Sequence, residues 1–395
     1  METNHFLVAD CVFLFWTYLP FIPHKPMKTV ILFVFFNCFF STVAFSEASL
    51  EKPIKIAMAG LSHGHSGWIF QNHFQGDFNL VGVFETDTAL INEFIDRYKL
   101  QKDLFYTDLT KMLDDQKPDG LLAFGPISEH LSVVQAAAPR GIHVMVEKPL
   151  AINMEQAQEM KKLAEENKIQ LLTNFETSWY PSTMKSIQIG SQGNENFGQL
   201  RKAVFHHGHK GPKEIGVGPE FLNWLTDPEQ NGGGALVDFG CYGANIMTTL
   251  THGVEPISVT AVTQTHKPEI YPLVEDEATI IVTYPNAQAI IQGSWNWPFD
   301  RKDMEIYGER GYVIAADKNT MKFRYADSGK EKTVLVSQEE TGVYVNPFAY
   351  FVEVISGKIQ PEPFGLYSLE NNMMVVRILD AAKKSAATGK TVYFE

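Results

Sequence analysis

A lysine follows a short apolar run in the segment Glu147-Lys148-Pro149, directly after residues 141–146. The run predicts a buried strand, and open parallel sheets bind ligands outside the carboxyl ends of their strands. Because lysine is costly to bury, its presence at a strand end needs a reason. An ammonium group there could polarise a bound hydroxyl and help to take its proton. The structural alternative is a solvated turn in which Pro149 ends the strand.

An acid and a phenol follow three consecutive glycines, residues 232–234, further along the chain. Asp238 and Tyr242 lie four residues apart, so on a helix they share one face. With a lysine they could hold a sugar hydroxyl and move its proton. A nearby cation, including a nicotinamide ring, could lower the high pKa of the phenol or the lysine toward working pH. The alternative is that Asp238 caps the helix and Tyr242 packs in the core.

A glycine-containing turn, residues 60–67, follows the first predicted strand. Such a turn brings backbone N–H groups close to a pyrophosphate at a helix N-terminus. The usual G-x-G-x-x-G spacing is not kept, because Ser62 and His65 occupy the second and third glycine positions. Glu85 ends the second strand, where a carboxylate would accept hydrogen bonds from a ribose diol and repel a 2′-phosphate. This favours NAD over NADP, although Glu85 could also be an ordinary acidic cap.

Histidines in such a turn are more often loop hydrogen-bonding groups than catalysts, so we assign them to the cofactor site. The residues predicted to contact the cofactor are Gly60, Ser62, His63, Gly64, His65, Glu85, Pro126, Glu147 and Lys148.

Aromatic and histidine side chains provide further candidates for the substrate site. Trp179 and Tyr180 follow the fifth predicted strand, where they could stack on a sugar ring or simply pack at a hinge. His206 and His207 point to opposite faces of a strand, so only one of them could face a given pocket. No cysteine or suitably spaced acid flanks them, and we predict no metal site. We interpret Trp295 as a sheet-packing residue. The predicted substrate contacts are Trp179, Tyr180, His206 and His209.

Strands and helices alternate between residues 53 and 173, and the first helix is predicted at 66–74. This order predicts an α/β fold with a doubly wound parallel sheet. With the glycine turn and Glu85, we assign residues 53–173 as the cofactor-binding domain, a Rossmann domain by the resemblance described below. From residue 174 to 395, long segments of alternating polarity predict an α+β domain with a large, mostly antiparallel sheet. One helix of this domain is predicted at 240–251. We expect this domain to bind substrate and to form a homodimer or homotetramer through its sheet.

The composition of the 395-residue chain is that of a globular protein, with 45% hydrophobic and 20% charged residues. Its formal net charge is −13, and no dense run of lysine or arginine occurs. Nucleic acid and anionic membrane surfaces are therefore not expected as partners.

The first 46 residues predict a targeting segment. Met27-Lys28 precedes an apolar stretch at 30–45 that ends in a small-x-small pattern, as in a Sec-type signal peptide. We infer that Met27 is the true start and that the protein is exported, to the periplasm. A membrane anchor and a cytoplasmic location are the alternatives, and no stable membrane span is expected after processing. Only Cys241 remains in the predicted mature part, so no intramolecular disulfide is expected there.

From residue 54 to its end, the chain resembles the Gfo/Idh/MocA oxidoreductases. The segment Glu147-Lys148-Pro149 matches the hallmark of that family, and residues 232–240 look like its second motif. The resemblance implies a Rossmann domain, an open-faced C-terminal sheet, a nicotinamide cofactor, a sugar or polyol substrate, and catalytic Lys148 and Asp238. Many members carry histidine at the position of Tyr242. The branch that includes glucose-fructose oxidoreductase is similar to this chain in carrying tyrosine.

These observations together favour hydride transfer between NAD and a hydroxyl carbon of a sugar or polyol, with Lys148, Asp238 and Tyr242 as catalytic residues. An exported enzyme would need a tightly bound cofactor. One alternative is a redox-neutral, NAD-dependent glycoside hydrolase. Another is a non-catalytic protein that binds a nucleotide or a sugar.

Overall fold

The N-terminal half of the protein is built on a six-stranded parallel sheet. The computed structural model describes residues 53–71, 78–191 and 195–395, which lie within one compact unit. The predicted signal segment lies outside the described residues. The strands are β1 (Ile54–Ala59), β2 (Phe78–Phe84), β3 (Phe105–Tyr106), β4 (Gly120–Ala123), β5 (His143–Glu147) and β6 (Leu171–Asn174). The helices are α1 (Thr88–Tyr98), α2 (Leu109–Gln116), α3 (His130–Ala137) and α4 (Met154–Asn167).

The strand order of this sheet is β3-β2-β1-β4-β5-β6, and every neighbouring pair is parallel. The order therefore reverses between β1 and β4, and ligands of doubly wound sheets bind at such a switch point. Side chains of Asp87, Asp108 and Asn153 accept N–H groups of the first turns of α1, α2 and α4, which fixes where these helices begin. The predicted α/β fold class is confirmed.

The segment after β1 differs from the prediction. Instead of an α-helix at 66–74, a five-residue 3₁₀ helix spans Ser66–Phe70, and residues 72–77 lie outside the described part. The buried Ser66 hydroxyl donates to the Leu61 carbonyl, which folds the chain back on the turn. Further 3₁₀ helices span Lys102–Leu104, Ile127–Glu129, Ala138–Arg140, Glu176–Trp179 and Ala326–Ser328.

The C-terminal half is built on a nine-stranded sheet. Its strands are β7 (Leu200–Gly208), β8 (Ser258–Gln264), β9 (Glu277–Thr283), β10 (Gln288–Ser294), β11 (Arg301–Gly308), β12 (Gly311–Ala315), β13 (Thr320–Tyr325), β14 (Lys332–Leu335) and β15 (Val392–Tyr393). The order is β14-β13-β12-β11-β7-β10-β9-β8-β15. Among the described strands of this second sheet, only β7 and β10 pair in parallel, so the prediction of a mostly antiparallel sheet is confirmed.

Helices cover one face of this sheet. They are α5 (Pro181–Gly190), α8 (Ala235–Leu250) and α11 (Leu369–Thr388). The other helices of this half are α6 (Pro219–Leu225), α7 (Pro228–Asn231), α9 (Gln338–Thr341) and α10 (Pro347–Ile355), and α10 packs against Gly120 of β4 in the parallel sheet. Ala278, Ile280 and Val282 alternate along β9 and are fully buried in the core that includes α8 and α11. The intervening residues are partly exposed, so the other face of the sheet is open. Helix α8 begins five residues before the predicted start.

Among the described residues, no helix has the length and apolar character needed to span a membrane. The division into domains at residues 173 and 174 stays a prediction.

Candidate active site

Lys148 lies at the carboxyl edge of the parallel sheet, one residue after β5 ends. Its side chain is buried, with 7% relative exposure, and its Nζ donates to Oδ1 and to the backbone oxygen of Asp238. The peptide bond between Lys148 and Pro149 is cis. A solvated turn is therefore excluded, because the ammonium group is enclosed and paired with a residue ninety positions away.

Asp238 occupies the first turn of α8 but does not cap it. The carboxylate that accepts the N–H groups of Gly234 (2.9 Å) and Leu236 (3.0 Å) belongs to Glu275. Oδ2 of Asp238 instead accepts a hydrogen bond of 2.9 Å from Nε1 of Trp295, while Oδ1 accepts from Lys148. Trp295, interpreted from the sequence as a packing residue, therefore helps to orient the carboxylate.

The lysine and the aspartate form an ionised pair. Burial lowers the pKa of Lys148, but the adjacent Asp238 carboxylate raises it, and the net shift is upward. Burial raises the pKa of Asp238, but the Lys148 ammonium lowers it, and the net shift is downward. The expectation that the pKa of this lysine is lowered toward working pH is not supported, because its neighbour is an anion.

Tyr242 lies one helical turn after Asp238 and presents its ring to two ammonium groups. Nζ of Lys148 lies 5.3 Å from the ring centroid, and Nζ of Lys302 lies 5.9 Å from it. Burial, more than the carboxylates around it, raises the pKa of Tyr242 well above its usual value. The phenol is therefore protonated at working pH, and the predicted lowering of its pKa is also not supported.

A cavity of about 220 Å³, lined by both polar and apolar residues, opens beside these three residues. It is smaller than the ~300–1,000 Å³ of typical ligand sites, so one small ring or a polyol fits it better than a larger molecule. The polar residues that line it are Lys148, Asp238, Tyr242, His63, His65, Glu176, His209, Asp300 and Lys302.

Of the two histidines predicted to contact substrate, one lines the cavity and the other does not. His209 lines the cavity, and its ring lies 5.0 Å from that of Phe239. His206 does not, because it faces the other side of β7 and lies 3.1 Å from the Asp303 carboxylate of the neighbouring strand. His207 takes the inward position, with its ring 5.4 Å from that of Tyr242. The pleat of the strand decides this, since consecutive side chains point to opposite faces.

Trp179 and Tyr180 do not line this cavity, and their assignment to the substrate site stays a prediction. The Trp179 ring packs edge-on against Trp68, at 5.6 Å, and Nζ of Lys318 lies over it. The Tyr180 hydroxyl donates to Glu176. Both aromatics therefore pack at the crossing between the two sheets, the alternative considered from the sequence.

The sequence reasoning missed the ion pair of Glu176 and Lys302, which lines the cavity. Burial raises the pKa of Glu176, but Lys302 and neighbouring donors outweigh it and bring that pKa to about 2. The available signal was the position of Glu176, two residues after β6 and therefore at the same sheet edge as Lys148.

The switch point of the sheet has a cradle that only glycine can form. Gly60 has φ +87°, and a Cβ there would lie 2.7 Å from the backbone nitrogen of Gly125, after β4. The N–H groups of Ser62 and Gly64 have no acceptor among the described residues, and both residues are accessible. These groups fit the pyrophosphate of a dinucleotide, which needs close backbone approach and free donors.

Other parts of this turn are already engaged. Ser62 Oγ accepts from Trp224 Nε1 at 3.1 Å, and the His63 ring packs 4.9 Å from that of Phe221. The short 3₁₀ helix offers no helix dipole of useful length, so the predicted pyrophosphate site at a helix N-terminus is not formed. The backbone N–H groups of Ser62 and Gly64 are then the donors available to a pyrophosphate.

Glu85, the residue predicted to bind the ribose, holds the turn. Its carboxylate accepts the N–H groups of Leu61, Thr86 and Asp87 at 2.7–2.9 Å. Lone pairs remain for a ribose diol, because a carboxylate accepts about four hydrogen bonds. Burial and the nearby Glu85 charge raise the pKa of Glu129, so two carboxylates lie at this edge, near Pro126. The charges of Glu85 and Glu129 would therefore both oppose the 2′-phosphate of NADP.

Two family models match the chain. Residues 54–175 match the oxidoreductase family with an NAD-binding Rossmann fold, and residues 193–314 match the GFO/IDH/MocA C-terminal domain. The chain belongs to the Gfo/Idh/MocA oxidoreductase family. This member therefore binds a nicotinamide dinucleotide. Gly60, Ser62, Gly64 and Glu85 remain the residues predicted to hold it.

Relatives of this family member include two dehydrogenases of small hydroxylated molecules. D-xylose 1-dehydrogenase [NADP(+)] of Haloarcula marismortui is 20% identical over 363 residues, covering 88% of this chain and 94% of the relative. Trans-1,2-dihydrobenzene-1,2-diol dehydrogenase of Macaca fascicularis is 22% identical, over 58% of this chain and 64% of the relative.

Solved structures share the fold. An aldose-aldose oxidoreductase from Caulobacter crescentus, complexed with glycerol, superposes with a TM-score of 0.72 at 20% identity, over 87% of this chain and 100% of that one. An inositol dehydrogenase homolog complexed with NAD+, from Azotobacter vinelandii, has a TM-score of 0.73 at 18% identity, over 87% and 98%.

Proposed function

We propose that this oxidoreductase transfers a hydride to or from a hydroxyl carbon of a sugar or polyol, with NAD as cofactor. The observation that carries the proposal is the buried, ionised pair of Lys148 and Asp238, which opens on a small cavity beside the cofactor edge of the sheet. Catalytic groups need such a preorganised, water-poor setting, because charges act more strongly there.

The residues of the pair and Tyr242 have distinct roles in this proposal. The Lys148 ammonium binds and polarises the substrate oxygen, and Asp238 keeps that ammonium charged and oriented. The protonated Tyr242 hydroxyl donates a hydrogen bond to the same oxygen or to its neighbour. When bound, the nicotinamide supplies a two-electron acceptor or donor for the hydride. The tyrosine thus takes the place at which many family members have histidine.

The substrate class is supported by the cavity and by the relatives. Ammonium, carboxylate and phenol groups around a space of about 220 Å³ suit a molecule with several hydroxyls. The relatives named above include a D-xylose dehydrogenase and a dihydrodiol dehydrogenase. We propose NAD rather than NADP, because Glu85 and Glu129 would both oppose a 2′-phosphate.

Export, tight cofactor binding and self-association are parts of the proposal. The targeting pattern at residues 27–46 supports export to the periplasm, where free NAD is scarce and a bound cofactor would have to be retained. The open face of the nine-stranded sheet supports a homodimer or homotetramer. Val204, Ile281 and Ile290 form a partly exposed apolar row on adjacent strands of that face.

The test begins with the cofactor that co-purifies with the protein, identified by mass spectrometry and near-ultraviolet absorbance. The protein is then incubated with NAD+ or NADP+ and D-xylose, D-glucose or myo-inositol, and formation of the reduced nicotinamide is followed. We expect turnover with NAD+ that Lys148→Ala abolishes and that Lys111→Ala, an exposed control, retains. Unchanged turnover in Lys148→Ala would show that the assignment of this residue is wrong.

Two other outcomes correspond to the alternative functions. Cleavage of a glycoside with no net change in the amount of oxidised cofactor would identify a redox-neutral hydrolase. A protein with neither bound cofactor nor affinity for NAD would be a binding protein.

A further inference from the structure

Oxidation of a hydroxyl releases a proton, and the three residues named so far are poorly suited to accept it. Lys148 and Tyr242 both have raised pKa values and are already protonated. Asp238 is ionised, but its two oxygens accept from Lys148 and Trp295. The chemistry therefore requires a further acceptor that faces the same cavity.

Each cavity histidine has a protonation pattern set by what its nitrogens contact. Nδ1 of His63 accepts the backbone N–H of His65 at 3.1 Å, so a neutral His63 carries its proton on Nε2. Nδ1 of His209 accepts the N–H of Gly211 at 2.9 Å, with the same consequence. Both rings therefore present donors, and neither offers a free lone pair to the cavity.

His65 has the opposite pattern. Its Nδ1 lies 3.2 Å from Oε2 of Glu147. Both atoms are buried, and neither makes a hydrogen bond of regular geometry among the described residues, so each is the nearest available partner of the other. Glu147 is 1% exposed, and its other carboxylate oxygen, Oε1, accepts a hydrogen bond of 2.7 Å from Nδ2 of Asn174. An ionised carboxylate holds the proton on the nitrogen that faces it. Nε2 of His65 is then left with a free lone pair, and the ring lines the cavity.

The other carboxylates of the cavity are less suited than this nitrogen. Both oxygens of Glu176 are engaged, one with the Tyr180 hydroxyl and the other with Lys302. Asp300 is exposed at the rim. The His65 ring, in contrast, is held in place by stacking on Trp68, with centroids 3.6 Å apart and planes inclined by 16°.

We infer that His65 is the proton acceptor of this site and that Glu147 positions it. This inference rests on the proposed function. The O–H bond of the substrate breaks and its proton forms an N–H bond at Nε2 of His65. The same carbon loses a hydride to the oxidised nicotinamide, so the alcohol becomes a carbonyl and charge and electrons balance. In the reverse direction His65 returns the proton.

The same three groups could in principle hold a metal ion, since atoms of His63, His65 and Glu147 lie within 4.8 Å of one another. The hydrogen bond to Nδ1 of His63 opposes this, because it leaves the proton on the nitrogen nearest Glu147, 3.9 Å away. A histidine ligand normally donates its second N–H instead of accepting there. We therefore favour the proton-transfer role, and the metal is an outcome of the test.

The first experiment determines the tautomer of His65 and does not depend on catalytic turnover. Imidazole nitrogen chemical shifts of the NAD-loaded full chain are measured by NMR, and the His65 signals are assigned by their loss in His65→Gln. We expect the Nδ1–H tautomer in the wild type. In Glu147→Gln, the carbonyl oxygen of the new amide stays with Asn174, whose Nδ2 donates to Oε1 at 2.7 Å. The amide NH₂ then faces His65, and the ring should switch to the Nε2–H tautomer.

The second experiment measures kcat and NAD+ affinity with D-xylose as probe. We expect His65→Gln and Glu147→Gln each to lower kcat by about 10²–10⁴-fold, the usual contribution of a general base. NAD+ affinity should fall by a smaller factor than kcat, although both side chains belong to the predicted cofactor site, and Glu147→Asp should recover part of the kcat. His266→Gln is the matched control, because His266 is an exposed histidine outside the cavity. Asp300→Asn tests whether the Asp300 carboxylate accepts the proton instead. We expect this variant to lower kcat by a smaller factor than His65→Gln does.

Three results would overturn the inference: an Nε2–H tautomer in the wild type, wild-type kcat in His65→Gln, or a stoichiometric metal found by elemental analysis. A larger loss in Asp300→Asn than in His65→Gln would transfer the role to Asp300. Absence of turnover by the wild type with every sugar and polyol would count against the proposed function alone, since the tautomer is read independently.

Discussion

Trp295 donates a hydrogen bond of 2.9 Å from its indole Nε1 to Oδ2 of Asp238, the carboxylate oxygen that Lys148 does not use. The indole comes from the end of β10 and is fully buried, with its ring 4.9 Å from that of Tyr271. Asp238 is thereby held from two sides, by a residue of each sheet. The orientation of the catalytic pair depends on how the two halves of the chain pack together.

Trp295→Phe should weaken this arrangement while keeping most of the aromatic packing. A lost hydrogen bond to a buried charge costs about 1.5–3 kcal/mol, and we expect a comparable loss in urea unfolding. We also expect kcat/KM with D-xylose to fall by at least about tenfold, which corresponds to about 1.4 kcal/mol. Trp297→Phe is the control, because Trp297 lies outside the cavity and packs against Arg301. Equal effects of the two variants would contradict the role of Trp295.

Removal of one member of the buried ion pair should cost more stability than removal of both. Lys148→Met leaves the Asp238 charge buried and unpaired, which we expect to cost about 3–5 kcal/mol in chemical unfolding. The double variant Lys148→Met/Asp238→Asn should recover much of that loss, because no uncompensated charge remains. Neither protein should turn over substrate. Additive losses in the double-mutant cycle would show that the two side chains are not coupled.

Stability should depend on pH through Glu176, whose pKa is about 2 in the folded protein against an ordinary value of 4.5. A lowered carboxylate pKa stabilises the fold above the unfolded value, and this contribution is lost as pH falls from 4.5 toward 2. The shift corresponds to roughly 3 kcal/mol. Glu176→Gln should therefore be less stable than the wild type at pH 7, with the difference shrinking across that window in urea titrations.

Glu340→Gln is the matched control for this pH dependence. Glu340 pairs with Lys185 at 3.1 Å, but its side chain is 50% exposed. Exposed pairs contribute about 0–1 kcal/mol, so this variant should follow the wild-type pH profile. A pH profile of Glu176→Gln that runs parallel to the wild type would mean that Glu176 is not the group responsible.

Gly60→Ala should disrupt the cofactor cradle more than Gly141→Ala disrupts its turn. Both glycines have positive φ, +87° and +69°, and share a backbone cost of about 1–2 kcal/mol for alanine. At Gly141 a Cβ meets nothing within 4 Å, whereas at Gly60 it meets backbone that cannot move aside. In Gly60→Ala we therefore expect the free energy of unfolding to fall by a further ~1–3 kcal/mol, the usual cost of overpacking. We also expect weaker NAD+ binding, measured by fluorescence titration, in this variant and not in Gly141→Ala. Equal losses would argue against the close approach of β1 and β4.

Much of the fold follows from local sequence patterns. Apolar runs such as β5 and the polar-apolar alternation of β9 report how each segment is buried, and the parallel and antiparallel sheets are predicted from them. Boundaries are less well determined. The start of α8 at Ala235 depends on Glu275, a capping group forty residues away, which a local pattern cannot reveal.

The order of residues along the chain by itself determined the two-sheet architecture and placed Lys148, Asp238, Tyr242 and the glycine turn as candidates. Lys148 and the glycine turn each follow a strand of the parallel sheet, whose carboxyl ends meet at one edge, so these two could be predicted to lie close together. The side of β7 on which each histidine faces, the hydrogen bond from Trp295, the ion pair of Glu176 and Lys302, and the contact of His65 with Glu147 were decided only by the tertiary structure. Each of these contacts depends on how elements that are distant in sequence pack against one another. The resulting burial shifts the pKa values of the side chains, and residue types alone do not determine their protonation states.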